Sequence, residues 1–234
     1  MVKEELIKRS PLRRLEKSLQ GGLEAGMIGA FAARKGTGKT ACLVHIATDQ
    51  LLQGHHVIHV SFAGRTDHII TWYEDIFSEI ARRRNLSDTM EIHDEMIRNR
   101  VIMNFNQDGI TVHQLLRSIR AMIDDGQFDA DVVIVDGYDF GKGDPSTLDA
   151  LREFGRDNDL RFWFSASIHR EDPRDENGVP SVLKAFLNEI DILITLTPER
   201  DHVKLQLLKD RNEFRSEDLH LELDNRTLLI REEE

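Results

Sequence analysis

The residues Ala33-Arg34-Lys35-Gly36-Thr37-Gly38-Lys39-Thr40 have the types and order of a polyphosphate-binding loop. A triphosphate needs many hydrogen-bond donors in a small space. Backbone N–H groups supply them where small residues let the chain come close, and Gly36 and Gly38 provide that freedom. An apolar run, Met27–Ala32, precedes the loop, and a helical pattern beginning near Lys39 follows it. A helix N-terminus carries unpaired N–H groups and a partial positive charge, so it would face the phosphates. In this reading Arg34, Lys35, Gly36, Thr37, Gly38, Lys39, Thr40 and Ala41 hold the nucleotide. Lys39 reaches the terminal phosphates and the Thr40 hydroxyl ligates Mg²⁺. The pattern G-x-x-x-x-G-K-[ST] is met except at its first glycine, where Ala33 stands.

Asp136 supplies the second half of that chemistry. It ends the apolar run Val132-Val133-Ile134-Val135, which reads as a strand buried on both faces. A carboxylate at the C-terminal end of such a strand sits where ligands bind in open α/β sheets and can hold Mg²⁺. Asp139 is a weaker candidate nearby. His55, His56 and His59 lie close in sequence as metal ligands can, but neighbours on a strand point apart, which argues for chance proximity.

Positioning these residues requires alternating strands and helices. Strands are expected at 27–32, 56–62, 101–105, 132–136 and 161–166. Helices are expected from Ala41 through Ala47 onward to a stop at Gly54, and over 66–84, part of 85–100, 111–123 and 146–159. Thr111 and Gln114 form a capping box at one of these starts. From Ile190 onward short apolar segments follow one another with hairpin spacing, so a mostly parallel sheet should carry antiparallel strands at one edge. Residues 1–20 read as a charged amphipathic arm, with Leu6, Leu12, Leu15 and Leu19 at roughly helical spacing around Pro11. Residues 21–234 form the main domain.

The chain has 234 residues, 40% of them hydrophobic, and a net charge of −11. Strong nonspecific binding to nucleic acid is disfavoured by that charge. The basic runs Lys8/Arg9/Arg13/Arg14 and Arg82-Arg83-Arg84 read as solvated faces. No apolar stretch has membrane-spanning length, the N-terminus is too charged for a secretory signal, and the single cysteine, Cys42, reads as a small core residue. A cytoplasmic location is the simplest expectation.

The segments Gly21–Gly26 and Ala32–Thr40 resemble the RecA-like ATPase core, and in particular its DnaB-type helicase and KaiC-like branch, where an Ala-Ala-Arg run before Gly-Lys-Thr is familiar. Gln53–Phe62 resembles the second strand of that core, and Lys209-Asp210-Arg211-Asn212 is similar to the helicases' Lys-x-Arg-Asn element. The resemblance covers about residues 20–215. It implies ATP as the nucleotide, and a homo-oligomeric ring or filament in which Lys209 and Arg211 act on a neighbouring subunit's ATP.

Two departures bear on catalysis. The position of the family's catalytic Glu is held by Ala63, with Asp67, Glu74 or Asp75 as possible substitutes. The family's γ-phosphate-sensing Gln is replaced by Ser167, with His169 or Arg170 nearby. Losing a water-positioning base costs about 10²–10⁴ in rate. The expectation is a slow ATPase whose nucleotide state controls assembly or a partner. The alternatives are a nucleotide-gated binding module without significant hydrolysis, and a DNA-processing ATPase.

Overall fold

Among the described residues, nine strands join in one sheet in the order β3-β2-β4-β5-β1-β6-β7-β8-β9. The computed structural model describes residues 2–62, 67–84, 89–169 and 171–233. β1 (Ile28–Ala33), β2 (Val57–Ser61), β3 (Arg100–Asn104), β4 (Val132–Asp136), β5 (Arg161–Ser167) and β6 (Ile192–Pro198) run parallel. β7 (His202–Asp210), β8 (Glu213–Asp224) and β9 (Ile230–Glu232) extend the sheet antiparallel from β6. The protein is therefore α/β, with a mostly parallel, helix-flanked sheet and antiparallel C-terminal strands.

The direction of each crossover sorts the helices between the two faces. Steps outward from β1 to β2 to β3 use α3 (Lys39–Leu52), α4 (Asp67–Arg84) and α5 (Thr89–Arg98). Their apolar residues, including Leu43, Ile76 and Met96, share one core layer with Phe31 and Ile134. Steps back from β3 to β4 to β5 use α6 (Val112–Asp124) and α7 (Pro145–Asp157), whose Ile119, Leu151 and Phe154 fill the opposite layer with Ile28, Val133 and Phe162. A uniform crossover hand requires this reversal of face when the direction reverses. Along β4 and β5 successive residues alternate between the layers, as the pleat demands.

The capping box at Thr111 is formed in both directions with Gln114. At the sheet centre the Trp163 ring lies over Gly29 and stacks on Phe31 at 5.2 Å. A Cβ on residue 29 would come within 2.5 Å of that ring, so a glycine is required there by close approach.

The N-terminal segment forms α1 (Val2–Lys8) and α2 (Leu12–Ser18). Leu6, Leu12, Leu15 and Leu19 are buried in the layer that holds α3. Arg13 binds the buried Asp49 of α3, and Arg14 Nε donates to the Leu219 carbonyl of β8 at 3.2 Å.

Two features depart from the expected pattern. A 3₁₀ segment, Ser181–Phe186, intervenes before β6. β8 starts at Glu213, where the polar run Glu213–Asp218 hid a strand; this half pairs with β7 and β9 meets β8 only at Leu221–Leu223. The polar half is thus a free edge, where charge is the usual guard against further pairing.

Candidate functional site

The parallel strands bring the carboxyl ends of β1, β2, β4 and β5 to one edge. Ala33 of β1 pairs with Ser167 of β5, and Ser61 of β2 with Asp136 of β4. The loop 34–38 leaves β1 at this edge and enters α3 at Lys39. Gly38 is the N-cap, at φ +105°, and no side chain caps the helix. The first-turn N–H groups of α3 are therefore left for a ligand, as in anion sites at helix N-termini. Gly36, also at positive φ (+79°), has open space where a Cβ would stand. At Gly38 a Cβ would meet Leu223 of β8 at 2.2 Å.

Lys39 is buried, and its Nζ donates to the Ala33 and Arg34 carbonyls, each at 2.9 Å. The ammonium is folded back over the loop that it would share with a phosphate. Burial pushes its pKa down to about 8, against the opposing pull of the Asp136 carboxylate. Thr40 Oγ1 donates to Asp136 Oδ2 at 2.9 Å. The other carboxylate oxygen, Oδ1, accepts from Ser165 Oγ at 2.6 Å, and that hydroxyl accepts from the Gly137 N–H at 2.8 Å. A hydroxyl and a carboxylate held this way are hard oxygen donors of the kind Mg²⁺ takes, usually with several waters kept.

These groups line an open cleft of about 530 Å³, together with Lys35, Thr37 and Ser167. Its far wall is Trp72 of α4 and Leu223, Asn225 and Leu228 around the β8–β9 turn. The volume lies within the range of small-ligand sites. Among the described residues lining it, Asp136 is the only carboxylate.

The expected site residues divide into two groups. Residues 35–40, Asp136 and Ser167 come together at the cleft. Arg34 contributes its carbonyl to Lys39 while its side chain is exposed, and Ala41 is buried in the first turn of α3. Lys209 and Arg211 are not brought to this cleft. Lys209 is buried and binds the Ile190 carbonyl. Arg211 pairs with Asp210 at 2.7 Å and reaches the Leu19 carbonyl at 3.4 Å.

The carboxylates considered as substitutes for a catalytic Glu are not among the lining residues either, and Glu74 is bonded to His93 at 2.5 Å. Ala63 and Arg170 lie outside the described residues. Asp139 bonds the Gly141 N–H in the turn after β4. His55 and His56 face Asp131, whereas His59 is buried against Tyr73 at 3.0 Å, so the three histidines form no cluster. Cys42 is buried, with its thiol pushed up to about 12.

Sequence reasoning missed Ser165, Trp72, Leu223, Asn225 and Leu228. Only Ser165 left a signal, as a small polar residue inside an otherwise apolar strand.

No protein-family model matches the chain, and no curated protein matches it.

Proposed function

We propose that this chain binds Mg²⁺–ATP at residues 34–41 and belongs to the RecA-like ATPases, as its resemblance to the DnaB-type and KaiC-like branch implies. One observation carries the reading. Thr40 and Asp136, expected as metal ligands from separate motifs 96 residues apart, are bonded to each other at 2.9 Å. Lys39 supplies the charge for the terminal phosphates, and the uncapped start of α3 supplies backbone donors. The metal's contribution when bound is to neutralise phosphate charge. The protein's contribution is to hold the nucleotide and fix its orientation.

Slow turnover fits the single described carboxylate at the cleft, because Asp136 is already engaged by Thr40 and Ser165. In our reading nucleotide state acts through assembly or a partner rather than through rapid hydrolysis. A homo-oligomer with Lys209 and Arg211 at a neighbour's ATP requires both side chains to leave their present internal partners. Binding to DNA is the weaker alternative, given the net charge of −11.

Calorimetric titration with ATP, with Mg²⁺ or with EDTA, tests the proposal on wild type, Lys39→Ala and Asp136→Asn. Binding should need Lys39 and weaken without Mg²⁺ or Asp136. Absence of binding, or binding indifferent to Lys39, overturns it. Phosphate release and light scattering with and without ATP then separate a slow ATPase from a binding module.

A further inference from the structure

A second cavity, of about 630 Å³, lies between the N-terminal helices, the middle of α3, α4 and β9. Its walls include Leu6, Leu52, Ile80 and Leu229. Two polar side chains of α3 stand one helical turn apart on its floor, His45 and Asp49, exposed by only 4% and 3%. Asp49 is held by Arg13 and by Gln53 at 2.8 Å.

His45 is not fully held. Its Nδ1 accepts the Ile230 N–H at 2.9 Å, which leaves the ring proton on Nε2. Nε2 has no hydrogen-bond partner among the described residues, yet it is not sealed in protein. It is a donor left to the cavity. Burial pushes the His45 pKa down to about 4, so near neutral pH the ring is uncharged and offers a single N–H.

The rim carries charges of both signs. Arg9, Arg83 and Arg231 line the cavity against Asp49 and Glu232. Those carboxylates are matched by Arg13 and Arg14. Of the rim arginines, Arg9 pairs with Glu5 at the surface, where such pairs exchange easily, whereas Arg83 binds Glu79 and Asp224, and Arg231 binds the buried Glu222 and Asp224. Apolar walls, one buried neutral donor and an exposed arginine, Arg9, at the rim suit a molecule with an apolar body and one anionic end.

The cavity and the loop cleft are lined by the same two segments of the chain. Leu228 lines the cleft, while the next two residues, Leu229 and Ile230, line the cavity. α3 begins with Lys39 at one site and carries His45 at the other.

We propose that this cavity is a ligand site for a small amphipathic anion, a medium-chain alkyl or aryl carboxylate, and that its occupancy is coupled to nucleotide binding. The site itself is independent of the nucleotide reading; only the coupling rests on it. Any coupling must be reciprocal between the two sites.

The test is calorimetric titration of the full chain with decanoate as the probe, with 1-decanol as the uncharged control. Decanoate should bind saturably at one site per chain, and decanol about tenfold more weakly. Ile80→Trp, which places an indole in the cavity, should weaken decanoate binding about tenfold or more. Arg9→Gln, at an exposed rim position, should weaken it about threefold. Both variants are checked for an unchanged circular dichroism spectrum. No saturable binding by wild type, equal binding of decanol, or binding unchanged in Ile80→Trp overturns the site.

Repeating the titration at saturating Mg²⁺–ATP should shift decanoate affinity about fivefold or more. Unchanged affinity with ATP bound overturns the coupling alone. Failure of ATP itself to bind overturns the nucleotide reading and leaves the decanoate result standing.

Discussion

If ATP binds as proposed, the depressed pKa of Lys39 will make its affinity depend on pH in a range where ATP itself no longer titrates. In the free protein Lys39 titrates at about 8, because burial disfavours the ammonium more than Asp136 restores it. A triphosphate bound as proposed would add several negative charges beside Nζ and return the pKa toward the ordinary lysine value, about 10.4. Between those two values each binding event takes up one proton, and affinity falls by up to about tenfold per pH unit. From about pH 7.5 to about pH 9.5 the dissociation constant should therefore rise roughly 20-fold.

The sign for stability follows from the same shift. The unfolded chain holds the Lys39 proton more tightly than the folded one. Lys39 thus makes the nucleotide-free protein more stable as pH rises from about 8 toward 10.4, and less stable below that window. Cys42, at about 12, stays protonated throughout. The assay is ATP titration at four pH values in two buffers of different ionisation enthalpy. Near pH 9 it should register about one proton taken up per ATP in wild type, and none in Lys39→Ala. A wild-type constant that changes less than about threefold, with no proton uptake, refutes the placement of Lys39 against the phosphates.

Three further outcomes test the structural reasoning. Gly38→Ala places a side chain at φ +105°, which should cost about 1–3 kcal/mol in a urea melt and weaken ATP binding. Leu223 can swing aside, but the backbone cannot. Leu19→Ala, at a position 1% exposed in the core layer shared with α3, should cost about 2–5 kcal/mol by the same melt, because the N-terminal helices share that layer. Thr111→Ala removes a complete capping box and should lower stability by about 1 kcal/mol without altering ATP affinity.

Most elements were readable in the chain because each carries its own signal. The strands at 132–136 and 161–166 are apolar runs of strand length, and the capping box of α6 depends on two residues three apart. Elements without a local signal escaped. The first half of β8 is polar because it lies at a sheet edge, so neither alternation nor an apolar run marks it. The Ser181–Phe186 segment has no period that separates it from a loop.

The loop side of the candidate site was legible for a chemical reason. Phosphate binding draws on contiguous backbone N–H groups, so its requirements appear as consecutive residues, Gly36 to Thr40. The Asp136 position was legible because strand ends in a parallel sheet share one edge. What folding alone decided is which distant residues share that edge. The strand order sets β5 beside β4, and this puts Ser165 on the Asp136 carboxylate. The return of β8 and β9 lays Leu223, Asn225 and Leu228 over the loop, and no local pattern announces them. His45 has a cavity beside it only because the helices of residues 2–18 fold back onto α3. Chemistry carried by neighbouring residues is written in order along the chain, whereas walls and cavities arise from long-range packing between segments that each look ordinary.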